Sequence, residues 1–324
     1  MPRPAPFRAA ILDLGSNSIK FMLAEQRGGT LRIHREQAVT TRLGASLALT
    51  GKLSASSIDA TLEVLRQCKA QADAYGARTL LAVGTSALRS ARNSQDVLSP
   101  ARKILGRPIE IISGKKEGEL VYAGASSNPR WSTRPVLVID VGGGSVEFVL
   151  GAQGQVHRSI SLPLGCVRIK DLYLQEQAPD PLGLQNAQQD LQHQIQRRIL
   201  PHLPPDKNLC VIGTGGTMIT LALIHLQADA SQHLDHLEGT KLSRQQLTLI
   251  RQNLASQSLA QLQSHPSIPA SRADIITAGS LIFESCLSAL HLPNIHCGTR
   301  GLRYGLWRKK LAPQPITRMI YAPA

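Results

Sequence analysis

The sequence predicts an α/β protein made of two related halves, each with a mixed β-sheet, and a cleft between them. Two observations support this prediction. Strand patterns alternate with helical patterns along both halves, which is typical of layered α/β folds. Residues 9–24 and 136–151 repeat one pattern: an apolar run, an Asp-x-Gly turn, small residues with a serine, and a second apolar run. That pattern predicts an antiparallel strand pair at the start of each half, so neither sheet is purely parallel.

The length of 324 residues allows two domains, each with its own core. The polar stretch 126–135 is the best linker candidate in the chain. We therefore predict an N-terminal domain over residues 1–125, a C-terminal domain over residues 126–310 and a C-terminal tail over residues 311–324.

In the first half, apolar spacing and turn residues predict the elements in chain order. Residues 54–75 are predicted to form a helix, because apolar residues recur at helical spacing between a serine-rich cap and Gly76. The full set is a strand-rich stretch 9–45, helix 54–75, strand 79–83, a helix that includes Ala87 to Ala91, helix 94–105, strand 109–112 and helix 116–125.

The second half repeats the plan, with a strand pair followed by alternating elements. Its predicted elements are strands 136–140, 146–150 and 156–162, helix 184–200, strand 209–212, and helices 217–227, 243–256 and 271–290. Together the two halves give the duplicated α/β arrangement.

Composition and charge narrow the function classes. The formal net charge of +14 concentrates anions such as nucleotides, nucleic acids and polyphosphates near the surface, although a solvated basic face is the alternative. Aromatic residues make up only 3%, which argues against a specific single-stranded nucleic-acid partner. Five scattered cysteines without CxxC spacing indicate reduced thiols in a cytoplasmic protein. No apolar run approaches the roughly 20 residues of a membrane span, and the N-terminus lacks a secretory pattern.

The two Asp-x-Gly turns are the strongest functional signal. Glycines let the backbone approach a phosphate closely, and successive amides form an anion-binding concavity. Ser16, Ser18 and Ser145 can add hydroxyl donors, while Asp13 and Asp140 can hold a divalent ion or a water. An ordinary hairpin turn is the alternative for either copy alone, but two matching copies favour phosphate binding.

Four weaker signals accompany the turns. Gly213–Thr217 leads from a strand into a helix and could bind an anion at the helix N-terminus, or be a plain turn. Arg89 lies one turn into the helix after Gly84, where a surface role is the alternative to phosphate binding. Glu117 starts a helix and could be a simple cap residue. Glu147 is an acid among apolar strand residues, which is unusual without a partner or a metal.

These segments together resemble the exopolyphosphatase/guanosine-pentaphosphate phosphohydrolase (Ppx/GppA) family. The matching segments keep the family's order and spacing over nearly the whole chain. They are Asp13–Ser18, Val83–Arg89, Ile112–Gly118, Val138–Ser145 with Glu147, Gly165–Arg168, Gly213–Thr217 and Gly301–Gly305.

The resemblance implies a fold of two duplicated ribonuclease-H-like domains, as in actin and sugar kinases, and implies roles for individual residues. Glu117 stands at the position of the general base, and Arg89 at that of the phosphate-binding arginine. The expected catalytic residues are Glu117, Asp140 and Arg89. The expected ligands of Mg²⁺ or Mn²⁺ are Asp140, Glu147 and Asp13. The expected phosphate-binding residues are Ser16, Asn17, Ser18, Gly142, Gly143, Gly144, Ser145, Gly215, Gly216 and Thr217.

The implied activity is hydrolytic release of the terminal phosphate of inorganic polyphosphate. Three alternatives stay open: a guanosine-pentaphosphate 5′-phosphatase, an ATP-dependent kinase, and a sensor that binds phosphate or nucleotide without turnover. Because the chain stops about 20 residues after Gly305, where longer family members continue into a helical region, we expect a preference for short chains. A homodimer is compatible with the sequence.

The chain also departs from the family pattern. Lys115 and Lys116 stand where acidic residues are frequent, and Glu119 stands where a basic residue is frequent. Tyr304 replaces a usual glutamate. The two lysines are expected to make the approach to Glu117 more positive and to lower the pKa of its carboxyl.

Overall fold

The computed structural model describes most of the chain as two six-stranded sheets with helices around them. The described residues are 5–131, 134–174, 180–204, 208–231 and 234–322. Among them, no helix combines the length and hydropathy that crossing a bilayer requires.

Twelve strands are present in the described ranges. They are β1 Phe7–Leu14, β2 Ser18–Arg27, β3 Thr30–Thr40, β4 Thr79–Gly84, β5 Glu110–Ile111, β6 Val136–Val141, β7 Val146–Ala152, β8 Gln155–Leu162, β9 Cys210–Thr214, β10 Lys241–Ser243, β11 Asn294–Cys297 and β12 Arg318–Tyr321.

The same ranges contain twelve α-helices, besides short 3₁₀ turns and one π-helical turn at Trp307–Leu311. The helices are α1 Leu47–Thr50, α2 Ala55–Ala74, α3 Ser86–Ser90, α4 Gln95–Leu105, α5 Gly114–Ala125, α6 Cys166–Tyr173, α7 Pro181–Arg198, α8 Gly216–Leu226, α9 Arg244–Ala255, α10 Leu259–Ser264, α11 Ile276–Ala289 and α12 Leu302–Leu306.

The two sheets share a topology of five strands and differ in where the sixth strand is added, which confirms the predicted fold class of duplicated mixed sheets. The first sheet has the order β12-β3-β2-β1-β4-β5 and the second β10-β11-β9-β6-β7-β8. In each, an antiparallel hairpin is followed by a strand parallel to the first strand of the hairpin: β4 beside β1, and β9 beside β6. The carboxyl ends of β1 and β6 therefore occupy equivalent positions, and each ends close to an aspartate.

Most predicted elements are present, with shifts that capping explains. Helix α5 begins at Gly114, two residues before the predicted start, because the Ser113 hydroxyl accepts a hydrogen bond from the Lys116 amide at 3.2 Å. The helix predicted at 271–290 begins only at Ile276, because a 3₁₀ turn at Ala270–Arg272 precedes it. The strand predicted at 109–112 is reduced to β5.

The predicted linker and the predicted tail contain secondary structure that the sequence analysis did not predict. Trp131, within the predicted linker 126–135, is buried in a 3₁₀ turn, while residues 132 and 133 lie outside the described ranges. Within the predicted tail 311–324, β12 pairs in parallel with β3, so it belongs to the first sheet. The domain boundaries themselves stay a prediction.

A buried polar network fixes the C-terminal strand to the first sheet. The Tyr304 hydroxyl lies 2.7 Å from Glu36 Oε2 on β3 and 2.7 Å from the Tyr321 hydroxyl on β12. Arg303 pairs with the other oxygen of Glu36 at 3.1 Å. The tyrosine that departs from the family pattern thus joins α12, β3 and β12.

The apolar core is built almost wholly from aliphatic residues, as the scarcity of aromatics predicts. Each half has its own cluster, and a third cluster lies between them. This central cluster contains residues of both sheets, such as Ile11 and Val138, together with Leu120 of α5 and Trp307. Because it is continuous, burial of its apolar surface holds the two halves against each other.

Two helices cross between the halves at very short range. A side chain on Gly305 of α12 would overlap the Leu120 carbonyl oxygen of α5, and one on Gly124 would overlap the Gly301 carbonyl oxygen. Helix α5 continues onto the second sheet, where a side chain on Gly118 would overlap the Ser159 hydroxyl of β8. Glycine is therefore required along α5 for contact with both neighbours.

A second connection joins the halves through charged groups. The Ser46 amide, in the first half, donates to Asp171 Oδ2 of α6 at 2.8 Å. Arg42 and Lys170 both pair with Asp274, at 3.2 and 2.8 Å. Arg42 and Ser46 have positive φ angles of 51° and 57°, so this loop adopts an unfavourable backbone conformation to make the contact.

We predict that Gly305→Ala lowers thermal stability, because the added methyl group overlaps the Leu120 carbonyl and forces α5 and α12 apart. Overpacking of this kind costs about 1–3 kcal/mol. Gly301→Ala is the matched control, since its methyl group would meet no atom within 4 Å. Calorimetry should show a clear decrease in Tm for Gly305→Ala alone; equal Tm values for the two variants would contradict the close packing.

Candidate phosphate-hydrolysis site

The two Asp-x-Gly turns have the same backbone geometry. The Gly15 amide donates to the Ser18 carbonyl at 3.1 Å, and the Gly142 amide donates to the Ser145 carbonyl at 3.0 Å. Each hydrogen bond closes the hairpin directly after its aspartate. The repeated sequence pattern therefore corresponds to a repeated turn at equivalent edges of the two sheets.

The turns face each other across the cleft and nearly touch. A Cβ on Gly143 would lie 3.0 Å from the Asn17 amide nitrogen, and one on Gly144 would lie 2.6 Å from the hydroxyls of Ser16 and Ser86. Only glycine allows this approach without displacing the opposite loop. The backbone amides and hydroxyls of both halves are thereby gathered around one small space.

Most of the predicted phosphate-binding residues line this cleft. Ser86, Glu117, Cys166 and Arg272 also line it. Gly215 lines an adjoining cavity. Thr217 is buried away from the cleft wall, against Gly279 of α11. The predicted residues along the cleft are Ser16, Asn17, Ser18, Gly142, Gly143, Gly144, Ser145 and Gly216.

Four polar residues form one row across the second sheet. Strand register places Thr214 of β9 beside Asp140 of β6, Asp140 beside Glu147 of β7, and Glu147 beside Ser161 of β8. The Thr214 hydroxyl donates to Asp140 Oδ1 at 2.5 Å, and the Ser161 hydroxyl donates to Glu147 Oε1 at 2.8 Å. Two neighbouring acids are thus flanked by two hydroxyl donors. We name these four residues the acid row.

In the first sheet, the position equivalent to Glu147 is occupied by Lys20, which carries the opposite charge. Register places Lys20 of β2 beside Asp13 of β1, with Lys20 Nζ 3.6 Å from Asp13 Oδ2. Burial raises the pKa of Asp13, and Lys20 opposes that effect. One aspartate of the repeat is therefore neutralised by the protein, whereas the other lies beside a second acid.

Glu117 projects from the first turn of α5 and is 7% exposed. Arg89 Nη1 lies 3.2 Å from Glu117 Oε2 and also donates to the Ile112 carbonyl at 2.7 Å. Burial, and next the negative charge of Glu147, raise the pKa of Glu117 well above its usual range, and Arg89 opposes them. A carboxyl group with a raised pKa is suited to accept a proton near neutral pH.

Glu147 is completely buried, and burial followed by the charge of Asp140 raises its pKa to about 7. Its Oε2 atom has no hydrogen-bond partner. An acid so placed favours an added cation, a water or a proton.

The arrangement fits an open site for a divalent cation. Mg²⁺ commonly binds one or two carboxylates and completes its octahedron with waters and phosphate oxygens. Asp13 and Asp140 both line the cleft, so they could hold such an ion beside a phosphate. Across the described ranges, no three His, Cys, Asp or Glu side chains converge as a metal site made by protein alone. The ligand roles of Asp13, Asp140 and Glu147 stay a prediction.

Arg272 is a cleft residue that the sequence did not reveal. Its guanidinium group lies against Gly216, where a side chain would overlap it, and the described part of the chain gives it no acidic partner. It also lines the adjoining cavity of about 330 Å³, together with Lys20 and Arg303. No motif marks Arg272, because it lies in the 3₁₀ turn Ala270–Arg272, far in sequence from the glycine-rich loops; only the fold brings it to the phosphate turns.

Comparison with known proteins agrees with the geometry. A model of the Ppx/GppA phosphatase family matches residues 22–313. Exopolyphosphatase 1 of Mycobacterium tuberculosis is 27% identical over 312 residues, which cover 94% of this chain and 88% of that protein. Exopolyphosphatase 2 of the same species is 29% identical over 291 residues, covering 86% and 89%.

Solved structures show the same architecture. The crystal structure of an Aquifex aeolicus Ppx/GppA family member has a TM-score of 0.77 at 26% identity, over 93% of this chain and 96% of that one. An exopolyphosphatase-like protein has a TM-score of 0.86 at 23% identity, over 94% and 97%, which establishes the shared fold.

We predict that Arg89→Met raises the pKa of Glu117 further, because the guanidinium charge that favours the carboxylate is removed. The side-chain carboxyl can be titrated by NMR with ¹³C-labelled glutamate. Lys116→Met is the control, since Lys116 pairs with Glu119 at 3.4 Å. The ion pair would lose its assigned role if the Glu117 titration were the same in Arg89→Met and wild-type protein.

Proposed function

The chain belongs to the Ppx/GppA phosphatase family, and we propose that it is an exopolyphosphatase, which hydrolyses the terminal phosphoanhydride bond of inorganic polyphosphate. The observation that carries this proposal is the position of Glu117, a buried carboxyl group that lines the same cleft as both glycine turns. The names of the mycobacterial relatives support the same substrate class.

The terminal phosphate binds between the two turns in this proposal. Backbone amides of both loops and the hydroxyls of Ser16 and Ser145 donate hydrogen bonds to its oxygens. Arg272 supplies a positive charge from the opposite wall. Because phosphoryl transfer depends mainly on positioning and on neutralising charge, such a preorganised cradle accounts for much of the catalysis.

Glu117 orients the attacking water and accepts its proton. The water oxygen forms a bond to the terminal phosphorus while the bridging P–O bond breaks, and the shortened chain leaves with the electron pair. Arg89 holds the Glu117 carboxylate through its 3.2 Å contact. A divalent cation, when bound by Asp13 and Asp140, would neutralise charge on the phosphate oxygens.

The surroundings of the cleft support the proposal that the enzyme prefers short chains. The adjoining cavity has a volume of about 330 Å³ and is lined by Lys20, Arg272 and Arg303. Lys20 and Arg303 are already paired with Asp13 and Glu36, so Arg272 is the cation of this lining that is left to neutralise phosphate units beyond the terminal one. Longer chains would extend into solvent and gain little additional binding energy.

Guanosine pentaphosphate 5′-phosphatase activity is the second candidate, and one observation favours it. The same cavity is lined by Ile219, Leu223 and Leu234 in addition to its cations. An apolar wall beside positive charges suits a nucleoside attached to phosphates. Competition between short polyphosphate and guanosine pentaphosphate for phosphate release would rank the two substrates.

We predict that Glu117→Gln lowers Mg²⁺-dependent phosphate release from short polyphosphate by ~10²–10⁴-fold, since a positioned general base contributes that much. Glu119→Gln is the matched control, because Glu119 lies on the same helix but is partly exposed and pairs with Lys116. Its activity should equal that of the wild type.

The same assay distinguishes an enzyme from a sensor that binds its ligand without turnover. Wild-type protein that binds tripolyphosphate without releasing phosphate would identify a sensor. Phosphate release at the wild-type rate by Glu117→Gln would remove the proposed base.

We further predict that kcat/KM decreases or stays level as the polyphosphate chain lengthens, because the cations near the cleft contact only the first few units. Phosphate release should be measured from tripolyphosphate and from long polyphosphate at equal concentration of chain ends. A higher kcat/KM for the long chains would refute the proposed preference and point to a longer binding track.

A further inference from the structure

The acid row contains two hydroxyl donors that the proposed mechanism does not use. Ser161 and Thr214 lie at the two ends of the row, one on each side of the paired acids. Each donates to one oxygen of its neighbouring acid, at 2.8 Å for Glu147 and 2.5 Å for Asp140. Each hydroxyl therefore fixes the rotation of one carboxylate.

The hydrogen bond from Ser161 leaves the other carboxylate oxygen of Glu147 without a partner. With Oε1 held by Ser161, Oε2 is left without a partner although the side chain is completely buried. A buried carboxylate oxygen without a partner is unfavourable, so this position favours an added cation, a water or a proton. The Ser161 hydrogen bond holds Oε1, and the Ser145 hydroxyl also interacts with the Glu147 carboxyl, so Ser161 is one of two hydroxyls that orient this side chain.

We propose that Ser161 and Thr214 are positioning residues, which orient the carboxylates of Glu147 and Asp140 so that one oxygen of Glu147 stays free for a cation or its bound water. The inference rests on the proposed hydrolase function and adds two residues to it. Without the Ser161 hydroxyl, Glu147 can rotate, and the free oxygen loses its fixed direction. Hydrogen-bond partners of this kind typically change metal affinity or activity by about 10–100-fold when removed.

Strand register makes Ser161 specific for this role. It lies directly opposite Glu147 in the β7–β8 pair, whereas Ser159, two residues earlier, lies opposite Val149. The Ser159 hydroxyl donates instead to the Lys115 carbonyl at 3.0 Å. Ser159 therefore offers a control on the same strand, with the same side chain and a hydrogen bond to a backbone carbonyl instead of an acid.

The test compares Ser161→Ala with Ser159→Ala by two measurements. Binding of Mn²⁺ alone is followed by electron paramagnetic resonance of the free ion, and phosphate release from tripolyphosphate gives kcat and KM. We expect Ser161→Ala to weaken Mn²⁺ binding and to lower kcat by about 10–100-fold with little change in KM. Ser159→Ala should change each quantity by less than about threefold.

The outcomes separate this inference from the proposed function. Wild-type protein that binds Mn²⁺ but releases no phosphate would refute the function. An active wild type, together with equal Mn²⁺ binding and kcat in the two serine variants, would refute the positioning role. If Ser161→Ala proves unfolded by circular dichroism, Thr214→Val takes its place with the same expected losses, because it removes the other hydroxyl and keeps the side-chain volume.

Discussion

The pairing of Asp140 with Glu147 in a buried sheet is the constraint on which the rest of the site depends. The β6–β7 register places two acids side by side, and Glu147 has no access to solvent. Two such charges repel each other and lose hydration, so they persist only with compensation. Hydroxyl donors flank them, and the close packing of α5 brings a third acid, Glu117, that carries its own arginine. This concentration of buried negative charge is the reason for proposing that a cation and a phosphate bind here.

The duplication explains how one fold supplies both binding and chemistry. Both hairpins close with the same hydrogen bond after the aspartate, so both present amides to the cleft. Their cross-strand neighbours differ: Lys20 follows the first turn and Glu147 follows the second. Lys20 offsets part of the charge of Asp13 in the first copy, whereas Asp140 in the second copy lies beside another acid. The second turn is therefore the more negative side of the cleft.

The sequence was sufficient for most of the longer elements and for the residues next to the turns, but not for short elements such as α6, β10 and β11. The hairpins, helix α2 and the acid Glu147 follow from local patterns, and family resemblance supplied the expected role of Glu117. Arg272, Ser161 and Thr214 could not be found in that way. They meet the site through strand register or through packing between distant segments, and an isolated arginine, serine or threonine carries no periodic signal. β12 escaped prediction because its four residues acquire strand structure only by pairing with β3.

The position of β12 has a consequence for how the molecule assembles. The outer strand of the first sheet comes from residues 318–321, so that sheet is completed only after the second half has been synthesised. Until then the edge of β3 lacks its parallel neighbour, and Glu36 lacks the hydroxyl of Tyr304. Contacts between segments so far apart in sequence form late and slow folding. The two halves are thus similar in architecture but differ in the order of folding, because the edge strand of the first sheet is added last.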